Sequence, residues 1–139
     1  MTGVELARRA VACPGWRWMP GMRYQIVNER GQIGGWMRAS DRVSHLDALY
    51  PVAGESEVAL PDLDDAATVG CLEARLFESW PGARISIKVD PWVTAGPLAE
   101  IVIRTKFGEP PRSFVARGPR ARVEAIIAAL EAAPTGGAP

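Results

Sequence analysis

Three short stretches of alternating residues follow one another with almost no chain between them, and this most restricts what the sequence can become. Ile85, Ile87 and Val89 alternate with Arg84, Ser86 and Lys88; Ile101 and Ile103 alternate with Glu100, Val102 and Arg104; Ser113 to Arg117 is a shorter third stretch. Period-two alternation is the mark of a strand with one buried face. The connections, Asp90 to Pro97 and Gly108 to Pro111, are rich in Pro and Gly, as turns are. Parallel neighbours need a crossover of a dozen or more residues. The sheet must therefore be mainly antiparallel.

Helical patterns surround these strands. Thr2 with Glu5 fits a capping box, in which hydroxyl and carboxylate satisfy reciprocal backbone donors. Val4, Leu6, Ala10 and Val11 continue that helix, which Pro14-Gly15 stops. Asp62, Asp64 and Asp65 precede a second helix, where carboxylates cap free N–H groups and face the positive end of the dipole. Its stripe is Val69, Leu72, Leu76 and Trp80, with Phe77 at the edge. Gly118-Pro119 opens a third helix, with Pro suited to its first position, and Val123, Ile126, Ile127 and Leu130 form its apolar side.

Between the first two helices, Trp16 to Val27 alternates, with Pro20-Gly21 bending the chain. Asn28 to Gly31 reads as a hairpin turn and Ile33 to Arg38 as the returning strand, weakened by Gly34-Gly35. Residues 39–61 show no clear period. The expected fold is α+β: a mainly antiparallel sheet with three helices in a layered α/β sandwich. Residues 1–134 are expected to form a single domain and residues 135–139 a disordered tail.

With 139 residues, 47% apolar and 23% charged, the chain can bury a core without disulfides or a structural metal. Cys13 and Cys71 are too few for a disulfide scaffold, and the first helix lacks a signal peptide's apolar stretch; both point to a reducing cytoplasm. No apolar run is long enough to cross a bilayer, so no membrane partner is expected. The formal net charge is zero, which removes the simplest argument for nucleic-acid binding. That zero is a sum of unlike parts. Residues 1–40 hold six Arg against two Glu, residues 41–80 two Arg against nine acids, and residues 81–139 eight Lys or Arg against five acids.

Catalytic chemistry finds little to work with. Ser40, Asp41, Ser44, His45 and Asp47 gather the residue types of a nucleophile and base, but no nucleophile elbow or second signature accompanies them. His45 reads as a polar loop histidine. One histidine and two isolated cysteines cannot build a Cys/His metal cluster, and Ala67 stands where a calcium loop starting at Asp62 needs glycine. Gly31, Gly34 and Gly35 do not form a phosphate loop. No catalytic residue, metal or cofactor is assigned, and an enzyme is the least favoured class.

Binding finds more. Arg84 and Lys88 share one strand face, Arg104 and Lys106 the polar face of the next, and Arg117 ends the third, with Arg120 and Arg122 following. If that sheet face is open it is cationic, and arginine forks suit phosphate oxygens. Of five tryptophans, Trp16 and Trp80 lie in periodic patterns and read as core. Trp36, beside Gly34-Gly35, and Trp92, in a Pro/Gly loop, are free to stack on a ligand ring. The candidate ligand-binding residues are therefore Trp36, Arg84, Lys88, Trp92, Arg104 and Arg117.

Two segments carry a family likeness. Leu6 to Val11 running into Cys13-Pro14-Gly15-Trp16-Arg17-Trp18-Met19-Pro20-Gly21-Met22 resembles the start of many small phage and prophage proteins. Leu60-Pro61-Asp62-Leu63-Asp64-Asp65 through Leu72 to Trp80 resembles their central helix, and Val123 to Ala133 is similar to their closing one. The set is also similar to the phage ABA-sandwich domain, which implies helix layers flanking a central sheet. Residues 23–58 and 84–118 carry no such likeness. The family has no assigned activity, so no functional residue is carried over.

The resemblance implies a phage or prophage accessory protein acting in the cytoplasm of the bacterial host, a class that often antagonises host defence. The favoured expectation is non-enzymatic sequestration of a nucleotide-derived signalling molecule, a small phosphorylated ligand, in a homo-oligomer that supplies the enclosure a small domain lacks. One alternative is a protein-binding inhibitor of a host defence complex, with Glu55, Glu57, Asp62, Asp64 and Asp65 mimicking nucleic acid. The other is a nucleic-acid-binding module. Residues 65–133 share the element order of a double-stranded-RNA-binding domain, but Gly118-Pro119-Arg120-Ala121-Arg122 only caricatures its basic helix start. Nucleic acid is not the expected partner.

Overall fold

The structure is a computed structural model that describes residues 2–14, 16–28, 30–32, 35–40, 46, 57–90, 96–105 and 109–134. Among them it contains helices α1 (Gly3–Val11), α2 (Ala66–Ser79) and α3 (Ala121–Glu131). The strands are β1 (Arg23–Asn28), β2 (Gly31–Gln32), β3 (Met37–Arg38), β4 (Val58–Pro61), β5 (Arg84–Asp90), β6 (Leu98–Arg104) and β7 (Arg112–Arg117). Every described pairing is antiparallel, and the fold is α+β with helices layered on sheet. The strands divide into two sheets rather than one, and the chain into two compact units, residues 1–71 and 72–139.

In the first unit, the Thr2 hydroxyl accepts from the Glu5 N–H while the Glu5 carboxylate accepts from the Thr2 N–H, closing the capping box. Leu6, Ala7, Ala10 and Val11 are buried, whereas Val4 is exposed; the buried stripe runs through Ala7 instead. Strand β1 is the hub of its sheet. It pairs along Tyr24–Val27 with β4, and its other edge carries β2 at Val27–Asn28 and β3 at Arg23–Tyr24. Of the expected returning strand, Ile33 to Arg38, Met37–Arg38 is found as β3, while β2 begins within the expected turn at Gly31. Ile33 and Gly34 lie outside the described residues, as do residues 41–45 and 47–56. Gly31, at φ +118°, opens β2 in a backbone region that glycine adopts without strain.

β4 falls where the sequence shows no period, and the reason is physical. All four of its residues are buried, so Val58-Ala59-Leu60-Pro61 is an unbroken apolar run with no polar face to alternate against. Trp16, expected in the core, is only half-buried and sets its edge against buried Trp18, ring centroids 5.4 Å apart.

A polar node joins these pieces. The Arg23 N–H donates to Thr68 Oγ1 at 2.8 Å, and that hydroxyl donates to Asp65 Oδ2 at 2.9 Å. Asp65 also accepts from the Thr68 N–H, at 3.0 Å, capping α2 as its position predicts. Arg38 adds a two-pronged contact to both Asp65 oxygens, at 3.0 and 3.1 Å, and donates to the Gly21 carbonyl. Arg23, directly across the sheet from Arg38, leans 3.4 Å from Asp62. Asp62 in turn accepts from the Asp64 N–H. The Arg38 guanidinium, with the Thr68 hydroxyl and N–H, holds the Asp65 carboxyl well below the usual range, at about 2, and Asp65 raises Arg38 in return.

In the second unit β5, β6 and β7 form a meander, and α3 packs on β6 and β7. Ala99, Ile101 and Ile103 line the helix-facing side of β6 and are fully buried, as are Ile126 and Ile127 of α3. α3 starts later than Gly118-Pro119 suggests. Arg120 is its N-cap residue, Pro119 stands in the preceding turn, and Gly118 makes that turn at φ +110°. Leu72 and Leu76 are fully buried, and Trp80, a core residue as expected, donates its indole N–H to the Ala129 carbonyl at 3.0 Å. Arg112 lies over Trp80, 5.4 Å from the ring centroid, and donates to the Ala132 carbonyl, a common fate of helix C-terminal carbonyls.

Two outcomes follow from the node. Thr68→Val keeps the shape but leaves the Arg23 N–H without its acceptor, so stability in urea should fall by about 1–3 kcal/mol. Because Asp65 titrates lower folded than unfolded, its contribution is complete above about pH 4 and is lost as pH falls toward 2. The stability gap between native protein and Asp65→Asn, measured by urea titration across pH 7 to 2, should narrow over that window; a gap independent of pH would contradict the assignment.

Candidate functional site

The register of the second sheet decides which of the candidate residues meet. Directly opposed residues in an antiparallel sheet share a face. Ile85, Ile87 and Val89 oppose Ile103, Ile101 and Ala99, so they lie on the side that bears α3. The other side is open and reads in four rows. Arg84 stands against Arg104; Ser86 against Val102 and Ser113; Lys88 against Glu100 and Val115; Asp90 against Leu98 and Arg117. Arg84, Lys88, Arg104 and Arg117 are all exposed. The four cations predicted for this sheet therefore share one open face, together with two acids.

They are not one cluster. At roughly 3.3 Å per residue, the Lys88 row lies about 13 Å and the Arg117 row about 20 Å from the Arg84–Arg104 row. Lys88 directly opposes Glu100, and Arg117 shares a row with Asp90. Only Arg84 and Arg104 come together, as a direct cross-strand pair of like charges. Among the described residues neither guanidinium has a hydrogen bond or an ion pair.

Lys88 is answered by Glu100 directly across the sheet, and a charge such as Arg117 on the outer strand β7 commonly guards a sheet edge. Neither reason accounts for Arg104. That residue sits on the central strand, opposite a like charge where the local preference is for an acid. Placement against local preference points to a use beyond folding. Arg122, by contrast, is engaged, donating to Glu73.

The aromatic candidates separate from this face. Trp36 is 40% exposed in the first unit, with the Arg23 guanidinium 5.2 Å from its ring centroid. Its indole is therefore already stacked on a cation. Trp92 and Lys106 lie outside the described residues, as do Asp41, Ser44, His45, Asp47 and Glu55. Of the acids in the middle of the chain, Asp62 and Asp65 serve the polar node, while Glu57 is exposed. The sequence reading missed Arg112, whose neighbours Trp80 and Phe114 come together only in the folded sheet.

Cys13 is buried, and its thiol donates to the Arg9 carbonyl. Burial and nearby Asp65 push the Cys71 thiol above its ordinary value, and it points to the Pro20 carbonyl. A thiol held protonated is a poor nucleophile. Among the described residues no three His, Cys, Asp or Glu side chains converge on a metal position. No described helix is long and apolar enough to cross a membrane.

Comparison of the chain with protein-family models, curated proteins and solved structures finds no match. Replacing one member of the like-charge pair supplies the missing opposite charge: Arg104→Glu should raise stability by roughly 0.2–1 kcal/mol, read as a higher midpoint in thermal unfolding.

Proposed function

We propose that this chain is a non-enzymatic binding protein that takes a small phosphorylated ligand on the open face of β5, β6 and β7. Arg84 and Arg104 form the phosphate fork. The observation that supports it is their direct opposition on an exposed face without a described acidic partner. An anion between two such guanidinium groups replaces repulsion with two charge-assisted contacts, each geometrically suited to a phosphate edge.

The next row extends the fit. Ser86 and Ser113 flank Val102, giving hydroxyls for further oxygens beside an apolar surface for a sugar or base. Lys88 and Arg117 lie too far off for the same phosphate and would meet only a second one on an extended ligand. A nucleotide-derived molecule with more than one phosphate matches this spacing. The setting attached to this reading is a phage or prophage accessory protein that withdraws such a signal from a host defence system in the bacterial cytoplasm. It draws on the sequence resemblance at the ends and centre of the chain.

The test is thermal unfolding and calorimetric titration against cyclic dinucleotides, ADP-ribose and inorganic phosphate, with an uncharged nucleoside as control. A specific ligand at a hundred times its Kd should stabilise the protein by about 2.7 kcal/mol. Arg104→Glu should abolish that gain while leaving the fold intact. No stabilisation by any phosphorylated compound at saturating concentration would overturn the proposal.

A further inference from the structure

The helix-facing side of the second sheet is unevenly covered. α3 packs on β6 and β7, and the apolar residues of β5 are left at the margin. Ile85 and Ile87 are half-buried and Val89 is 47% exposed, although their opposite numbers on β6 are fully buried. β5 is also an outer strand of its sheet, seven residues long, and none of those residues is buried. A long edge of this kind is a template for another strand.

The charges along β5 state which strand. Arg84 begins it and Asp90 ends it. Pairing β5 antiparallel with itself about a twofold axis at Ile87 sets Arg84 against Asp90 of the second copy, and Asp90 against its Arg84. Ser86 meets Lys88, Ile85 meets Val89, and Ile87 meets itself. Every residue of the strand then has a compatible opposite number, and the half-exposed apolar row continues across the seam. Slipping two residues either way places Arg84 against Lys88 or Lys88 against itself, both like-charge contacts, so the register is specified.

We propose that β5 is the seam of a symmetric dimer, pairing antiparallel with β5 of a second copy through reciprocal Arg84–Asp90 contacts to build a continuous six-stranded sheet. The arrangement is isologous and closes on itself, so it stops at two copies. Arg84 belongs to both readings, whereas Arg104 belongs only to the phosphate fork and takes no part in the seam, so the seam is argued from the β5 edge and not from phosphate binding.

The test is sedimentation velocity of the full chain without ligand over a wide concentration range, with circular dichroism confirming that each variant is folded. Reversible monomer–dimer exchange is expected. Asp90→Arg should weaken it by roughly tenfold or more, since both symmetric contacts turn repulsive. The charge-swapped double variant, Arg84→Asp with Asp90→Arg, should restore it to within a few-fold. Ser86→Glu supplies an acid opposite Lys88 in both copies and should tighten the dimer, a gain that misfolding cannot imitate. A chain that stays monomeric throughout, a dimer indifferent to Asp90→Arg, a swap that restores nothing, or a Ser86→Glu dimer no tighter than native would each overturn the seam. Loss of phosphate binding in Arg104→Glu with the dimer unchanged separates the two proposals.

Discussion

The Asp65 carboxylate is the point through which the first unit is held together. One side chain satisfies the first turn of α2, fixes the Thr68 hydroxyl that accepts from the backbone of β1, and takes both prongs of Arg38 from β3. The last of these matters because Arg23 and Arg38 oppose each other across the sheet. Two cations so placed repel, and the arrangement holds because each has its own carboxylate, Asp62 for Arg23 and Asp65 for Arg38. A short two-residue strand such as β3 contributes little pairing by itself. The ion pair that anchors its end does much of the work of placing it.

The same motif recurs in the second unit with its outcome reversed. Arg84 and Arg104 also oppose each other across a sheet, but no carboxylate among the described residues answers them. In the first unit the facing arginines are answered by acids; in the second, among the described residues, they are not.

Legibility from sequence follows how local each signal is. The capping box at Thr2 and Glu5, the Asp65 cap and the alternation in β5 and β6 each lie within a few residues, and each is found where the pattern places it. β4 is hidden because burial on both sides erases alternation. The start of α3 is displaced because Gly118 turns the chain before Pro119 can serve as its first helical residue. Among the site candidates, the shared face of Arg84, Lys88, Arg104 and Arg117 is readable from strand period alone. Their spread along some 20 Å and the direct meeting of Arg84 with Arg104 are matters of register, which no single strand encodes. That Trp36 is already stacked on Arg23 likewise needs the fold.

The wiring of the two sheets also bears on how quickly each can be assembled. β5, β6 and β7 join in chain order, so each pairing closes a short loop and the entropy lost per step is small. β1 must instead find β4, bringing Tyr24 to Pro61 across the whole intervening chain. Long-range pairing is the slow step in sheet formation. By sequence separation, the meander that bears Arg84 and Arg104 is the less costly of the two to close, and the sheet beside Asp65 carries the larger loop-closure cost of joining two distant strands.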